Sequence, residues 1–485
     1  MATNRVLLGE WLPDQSDSTG SPSTNLEMAF NVYPSSSGYA PFPKASRLSV
    51  DMPNGEDITG LFSARQNAQI LTIVGTPTDI YRGNIVELRT GAGDITPISR
   101  TGGYSSPREN WKFQQFGELV IATNGTAKLQ RYDITGDSRF SDIEQAPVCR
   151  AIATVRDFVF AGYCNGVSNK VQWSDLNNAE SWVSSDTSQA DFQILPSGGE
   201  IKAITGGEFG LILQEKAVQR VSYIGTPLIF QFDLISDNTG CISGASAIQY
   251  NGVSYWLSEG GIVSCDGNTV TNIGEGKVND YLFAEIDKTK IEDVSVAIEP
   301  LKNLIVWNFP TSSEARVLLK YNYSTGRFTT GRTDAQIVTG LMTQSRTLDG
   351  LDEDYPVLDD MPISLDSNLL IGGQFSFCGA EKKHVVAFNL PQDNAVLTTN
   401  DMEFGGFSVA TLAEPIVENG TAEFQIASRQ SLNNNIEFGA KSVTSLENRA
   451  DLRSGGKYHR VRMHPTGNWT NAVGFDLTVT PQGQR

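Results

Sequence analysis

Histidine is the side chain most often used as a general base, and the chain has three: His384, His459 and His464. None stands beside a nucleophile in sequence. His459 and His464 could reach one metal across a hairpin, but no third ligand stands in an obvious place, so both read as ordinary strand side chains. No Gly-x-Ser-x-Gly elbow, Gly-x-x-x-x-Gly-Lys-Ser/Thr loop or His-Glu-x-x-His helix occurs. Gly91-Ala92-Gly93 and Gly274-Glu275-Gly276 begin like dinucleotide loops, yet neither shows the third glycine or a following helix pattern, and both read as turns. The acidic stretch Asp349 to Asp360 lacks the turn glycine and closing Glu of a calcium loop and reads as a solvated loop. Cys149, Cys164, Cys241, Cys265 and Cys378 are scattered without a Cys-x-x-Cys pair, which favours small buried hydrophobes over a disulfide or zinc framework. Trp173 and Trp182 bracket a short polar turn and read as core plugs rather than sugar platforms. Paired carboxylates for glycoside hydrolysis are not excluded among 55 acidic residues, but nothing marks a pair. No catalytic, cofactor-binding or metal residue is assigned, no cofactor is expected, and the chain is not expected to be an enzyme.

Side chains that do no recognisable chemistry direct attention to the elements holding them. The 485 residues carry 37 Lys+Arg against 55 Asp+Glu, a net charge of −18, which excludes a basic nucleic-acid grip spread over the whole surface. Charged residues are only 19% of the chain, and Gly, Asn, Ser and Thr take their place, a surface suited to strands and turns. Apolar runs such as Leu119 to Ala122 and Leu304 to Trp307 are strand-sized, so no membrane span is expected. The N-terminus lacks the apolar region of a secretory signal, and synthesis in a cytoplasm is expected.

From about 60 to 390 one pattern recurs: an apolar strand, a turn, a strongly apolar strand, another turn, and a more polar strand. Ala247-Ile248-Gln249-Tyr250, Asn251-Gly252 and Val253 to Leu257 form a hairpin whose Asn-Gly pair supplies positive φ. Ile152 to Val155 turns at Arg156-Asp157 into Phe158 to Ala161, and Ile201 to Thr205 turns through Gly206-Gly207 into Leu211 to Leu213. Val294 to Ile298, Leu304 to Trp307 and Val317 to Tyr321 repeat the series. The most apolar strands centre near 72, 119, 159, 212, 256, 306 and 370, a period of roughly 40–50 residues that matches a β-propeller blade. The expected fold is all-β, with a propeller-like body of six or seven blades over 56–392. Unrelated hairpins in β-sandwiches are the competing arrangement. Residues 349–363, rich in acid and proline, read as an inserted surface loop. Residues 1–55 form an extended Pro/Ser-rich segment with little room for regular structure, running over the body or over a neighbour. Residues 393–485 form a small C-terminal β domain, with Val461 and Met463 alternating against Arg460 and Arg462.

Several stretches carry a family resemblance. Trp11-Leu12-Pro13-Asp14-Gln15, Asn31-Val32-Tyr33-Pro34 and Gly38-Tyr39-Ala40-Pro41-Phe42-Pro43 open the series. Trp111 to Gly117, Val171 to Ser174, Ser258-Glu259-Gly260-Gly261-Ile262 and Val278-Asn279-Asp280-Tyr281-Leu282-Phe283 follow in order. Val306-Trp307, Tyr321 to Phe328 and Gly456 to Arg462 complete it. Together they resemble the tail nozzle, or tail tubular protein B, family of short-tailed double-stranded DNA bacteriophages. The resemblance implies a propeller subunit of a hexameric ring in the virion, below the head-to-tail adaptor proteins and touching tail fibres, spikes or a needle. Genomic DNA would leave through the ring without sequence-specific binding. The competing expectation is a propeller glycosidase or lectin that binds cell-surface polysaccharide.

Overall fold

A computed structural model describes residues 2–15, 25–66, 69–84, 88, 95–105, 109–343 and 373–482. The acidic insertion at 349–363 and the Gly91-Ala92-Gly93 turn lie outside them. The body is a β-propeller. Blades 1 to 5 span 60–97, 112–142, 151–194, 201–236 and 248–272, each an antiparallel four-stranded sheet in chain order. A junction blade follows, with strands Ser295–Glu299, Leu304–Phe309, Arg316–Asn322 and Arg327–Thr333. The closing blade joins Ile337–Met342, Phe375–Glu381 and His384–Leu390 to Lys44–Arg47 from the N-terminal segment. Six of these sheets stand alone, and the junction blade continues sideways into a 14-stranded sheet.

Packing explains the repeat seen in the sequence. The second strand of each blade is covered on both faces, so Gly210–Gln214 and Leu304–Phe309 are buried at every position and read as unbroken apolar runs. Outer strands meet solvent, and Asp191–Ile194 is exposed throughout. Apolar clusters fill the seams between neighbours: Val120, Trp111 and Tyr132 with Ile73 between blades 1 and 2, and Phe158, Trp173, Ile212 and Phe230 between blades 3 and 4. The ring closes where Leu341, Val385 and Ala387 of the closing blade pack on Leu61, Val74 and Tyr81 of blade 1.

Turn chemistry sets the register. Asn251 and Gly252 have φ of 49° and 80°, the left-handed pair that matches the twist of a two-residue hairpin. Gly206 meets a different demand, because a Cβ there would stand 2.0 Å from the Thr154 carbonyl oxygen of blade 3.

The N-terminal segment departs from expectation in part, since its described residues include five short strands. Ala2–Leu7 pairs with Asn471–Pro481, and Leu26–Phe30 lies between the junction blade and Val396–Thr399. Val32–Pro34 pairs with Tyr39–Pro41 at the end of the large sheet. Prolines are compatible with strands here because edge positions need no ladder N–H from them. After Thr399 the long strands Met402–Glu418 and Ala450–Thr466 pair with each other, and Thr421–Arg429 and Asn471–Pro481 complete the C-terminal sheet.

Candidate functional site

Motifs distant in sequence meet at one knot beside the junction blade. Helix α1 (Asn279–Glu285) starts without a capping side chain of its own, because the residue before it is Val278. Asp14 supplies the cap: its carboxylate accepts from the backbone N–H of Asp280 and of Tyr281, both at 2.9 Å. Trp11, 1% exposed, stands edge-on to the Tyr281 ring at 5.0 Å and donates its indole N–H to the Glu27 carbonyl. Lys277 pairs with Glu10 at 2.8 Å and also donates to the Gly326 carbonyl. Arg327 lies over the Tyr39 ring and donates to the Gly9 carbonyl, which also accepts from the Tyr39 hydroxyl. Burial pushes the Tyr39 phenol up to about 12, so it stays a neutral donor.

The spacing of the glycines before α1 has a steric cause. The Asn279 amide accepts from Ile262 N–H and donates to the Gly260 carbonyl and to Asn272 Oδ1. A Cβ on Gly261 or Gly274 would fall 2.1 Å from that amide. The turn reading of Gly274-Glu275-Gly276 needs correction in one respect, because a helix does follow it. Gly274 admits the Asn279 plug, whereas Gly276 takes a positive φ of 65°.

Around this knot the C-terminal sheet is fastened by buried charge. Arg460, 2% exposed, pairs with Asp401 at 3.2 Å and with Glu27 at 2.7 Å. Arg429 binds the other oxygen of Asp401. A second circuit runs through residues at the entrances to the first strands of blades 2, 3 and 4 and of the junction blade. Glu109 holds Lys112 at 3.9 Å and Arg150 at 3.1 Å, Arg150 reaches Glu200 at 2.6 Å, and Lys202 bridges Glu200 and Glu292. Burial works against the Lys202 ammonium, yet Glu292 and Glu200 hold its pKa above the ordinary lysine value.

Each histidine has polar neighbours within 4 Å. His459 is fully buried, its ring nitrogens 2.8 and 2.7 Å from the Ser408 and Ser428 hydroxyls, and burial lowers its pKa. His464 Nε2 meets Gln425 Oε1 at 3.0 Å, and burial, aided by Lys441 and Arg462, lowers its pKa to about 4. His384 lies 3.5 Å from Asp51, far in sequence from the other two. All five cysteines are free and buried, which agrees with the hydrophobe reading. Trp173 and Trp182 are buried, with indoles bonded to the Gln189 and Ala179 carbonyls, and they act as plugs. Among the described residues no group of three or more His, Cys, Asp or Glu is placed to hold a metal ion. A polar cleft of about 620 Å³ opens between the junction and closing blades, where Asp293, Glu314, Asp334 and Glu381 face Arg316 and Lys382.

Sequence reasoning missed Asp401, Arg460 and the Glu109–Glu292 circuit. Alternation along Tyr458 to Met463 marked Arg460 as facing away from Val461, and the fold buries it beside Asp401 and Glu27, partners that lie 59 and more than 400 positions away.

No family model matches the chain, and no curated protein matches it. Solved structures similar to it include the Pan2 WD40 domain of Neurospora crassa, at 10% identity and TM-score 0.38, covering 71% of this chain and 94% of that one. The extracellular domain of BT4673 from B. thetaiotaomicron is similar at 10% identity and TM-score 0.40, covering 82% of this chain and 47% of that one. The N-terminal domain of Nup159 is similar at 12% identity and TM-score 0.37, covering 74% and 98%.

Proposed function

We propose that the chain is a structural virion protein, a nozzle subunit that forms the distal DNA-exit channel of a short-tailed phage as a hexameric ring below the adaptor. The observation that carries this reading is the knot. Trp11 to Gln15, Tyr39, Gly260 to Ile262, Val278 to Phe283 and Tyr321 to Phe328 belong to the stretches that resemble the nozzle family, and contacts join them: Trp11 with Tyr281, Asp14 with Asp280, Asn279 with Gly260 and Arg327 with Tyr39. In this chain those residue types are accounted for by capping, stacking and close approach. The charge circuit is compatible with the same role. A channel wall must pass a polyanion without retaining it, and each cation that captures a phosphate adds counterion-release affinity. Lys112, Arg150 and Lys202 are each already paired with carboxylates.

The test is native mass spectrometry of the purified chain, alone and with adaptor rings, beside an assay for reducing ends released from capsule and lipopolysaccharide. The proposal expects a species of six times the 52.7 kDa subunit and intact polysaccharide. A persistent monomer that cleaves or retains polysaccharide would support the glycan-binding class instead.

A further inference from the structure

Lys320 lies within the third strand of the junction blade and is 0% exposed, and its Nζ has no hydrogen-bond partner. The roof over it comes from the N-terminal segment. Nζ stands 5.0 Å from the centre of the Phe42 ring, which packs against Phe377 and Phe388 of the closing blade. A Cβ on Gly331 would lie 2.8 Å from Nζ and 2.8 Å from Asn31 Oδ1, so the missing side chain of Gly331 leaves the room that the amine occupies beside Asn31. Asn31 and Phe42 are themselves bonded, Phe42 N–H to the Asn31 carbonyl at 3.1 Å.

The charged and titratable groups on the surrounding elements are engaged elsewhere. On the same strand Arg316 is held by Asn308 and the Asp293 carbonyl. On the first strand Glu299, raised by burial, pairs with Lys302, and Tyr33 of the N-terminal hairpin is raised by burial and by Glu299. On the fourth strand Arg332 pairs with Glu285 and Arg327 serves the knot. Lys44 pairs with Asp393, and the Cys378 thiol of the closing blade is held neutral by burial.

We propose that Lys320 makes the seating of residues 26–42 on the junction blade a proton-sensitive latch, which loosens when the amine becomes charged. An ammonium beneath Phe42 has no counter-ion and no hydrogen-bond acceptor, only the face of the ring, whereas lifting the segment gives it water. Burial brings its pKa down to about 7, from the ordinary lysine value of 10.5. The opened state binds the proton more readily, so opening becomes easier as pH falls from the ordinary lysine range toward 7. Below 7 both states are charged and the effect levels off.

Hydrogen exchange corrected for intrinsic rates tests this on the full chain. In peptides covering 26–42 the opening constant should rise by up to about tenfold per unit as pH falls from roughly 10 to 7, then flatten, while blade 3 peptides show no such slope. Lys320→Met keeps the volume and removes the amine, and it should abolish the slope. Phe42→Ala admits water above the amine and should reduce the slope with Lys320 intact. A wild-type protein without a slope at 26–42, or a Lys320→Met variant that keeps it, would overturn the latch.

Discussion

Asp14 caps a helix more than 260 positions away, so its contribution belongs to the tertiary fold rather than to local propensity. Replacing it with alanine leaves two N–H groups of α1 without their acceptor and should cost about 1 kcal/mol, read as a lower thermal midpoint. Asp401 carries more. Asp401→Ala strips a buried counter-ion from Arg460 and Arg429, and removing one partner of a buried pair costs roughly 3–5 kcal/mol. A change below 1 kcal/mol in urea denaturation would show that Glu27 and solvent suffice for Arg460. Acid should act through His464. Its folded pKa of about 4 lies below the ordinary histidine value of 6.5, so the unfolded chain takes up the proton first and stability is lost as pH falls from 6.5 to 4. His464→Gln should flatten the dependence of the melting midpoint on pH in that window. Residues of this kind were poorly legible in sequence, because Asp14, Asp401 and Lys320 matter through what covers them.

Blade strands were legible because each sheet buries its second strand from both sides and marks its turns with residues that accept positive φ. Asn251-Gly252 and the run Leu304–Phe309 show both signals at once. The N-terminal segment was harder to read, since its strands are short, interrupted by proline and paired with partners hundreds of residues away. Only the fold brings Leu26–Phe30 beside Thr330 and Val396–Thr399. This segment supplies Trp11, Leu26, Ala29, Val32 and Tyr39 to the largest apolar cluster, and its place on the chain's own body dictates what truncation does. Deleting residues 1–43 should leave the β-type circular dichroism of the blades while lowering the melting midpoint and making the C-terminal sheet a separate, earlier transition. An unchanged midpoint would mean that those contacts contribute little in solution.

At the scale of the whole molecule, a closed ring of blades is extended edgewise by the C-terminal sheet, with the N-terminal segment stitched through both. A net charge of −18 opposes self-association at low salt, so a ring of six copies requires contacts that outweigh repulsion within a Debye length of about 8–10 Å. The fold leaves the function to be decided by where the protein resides, because propellers serve many roles. Electron microscopy of particles purified from a lysate that produces this chain, labelled with antibody against it, puts the central claim to the most direct test. Label at the distal end of a short tail is the expected result. Label confined to free protein or to the capsid shell would contradict it.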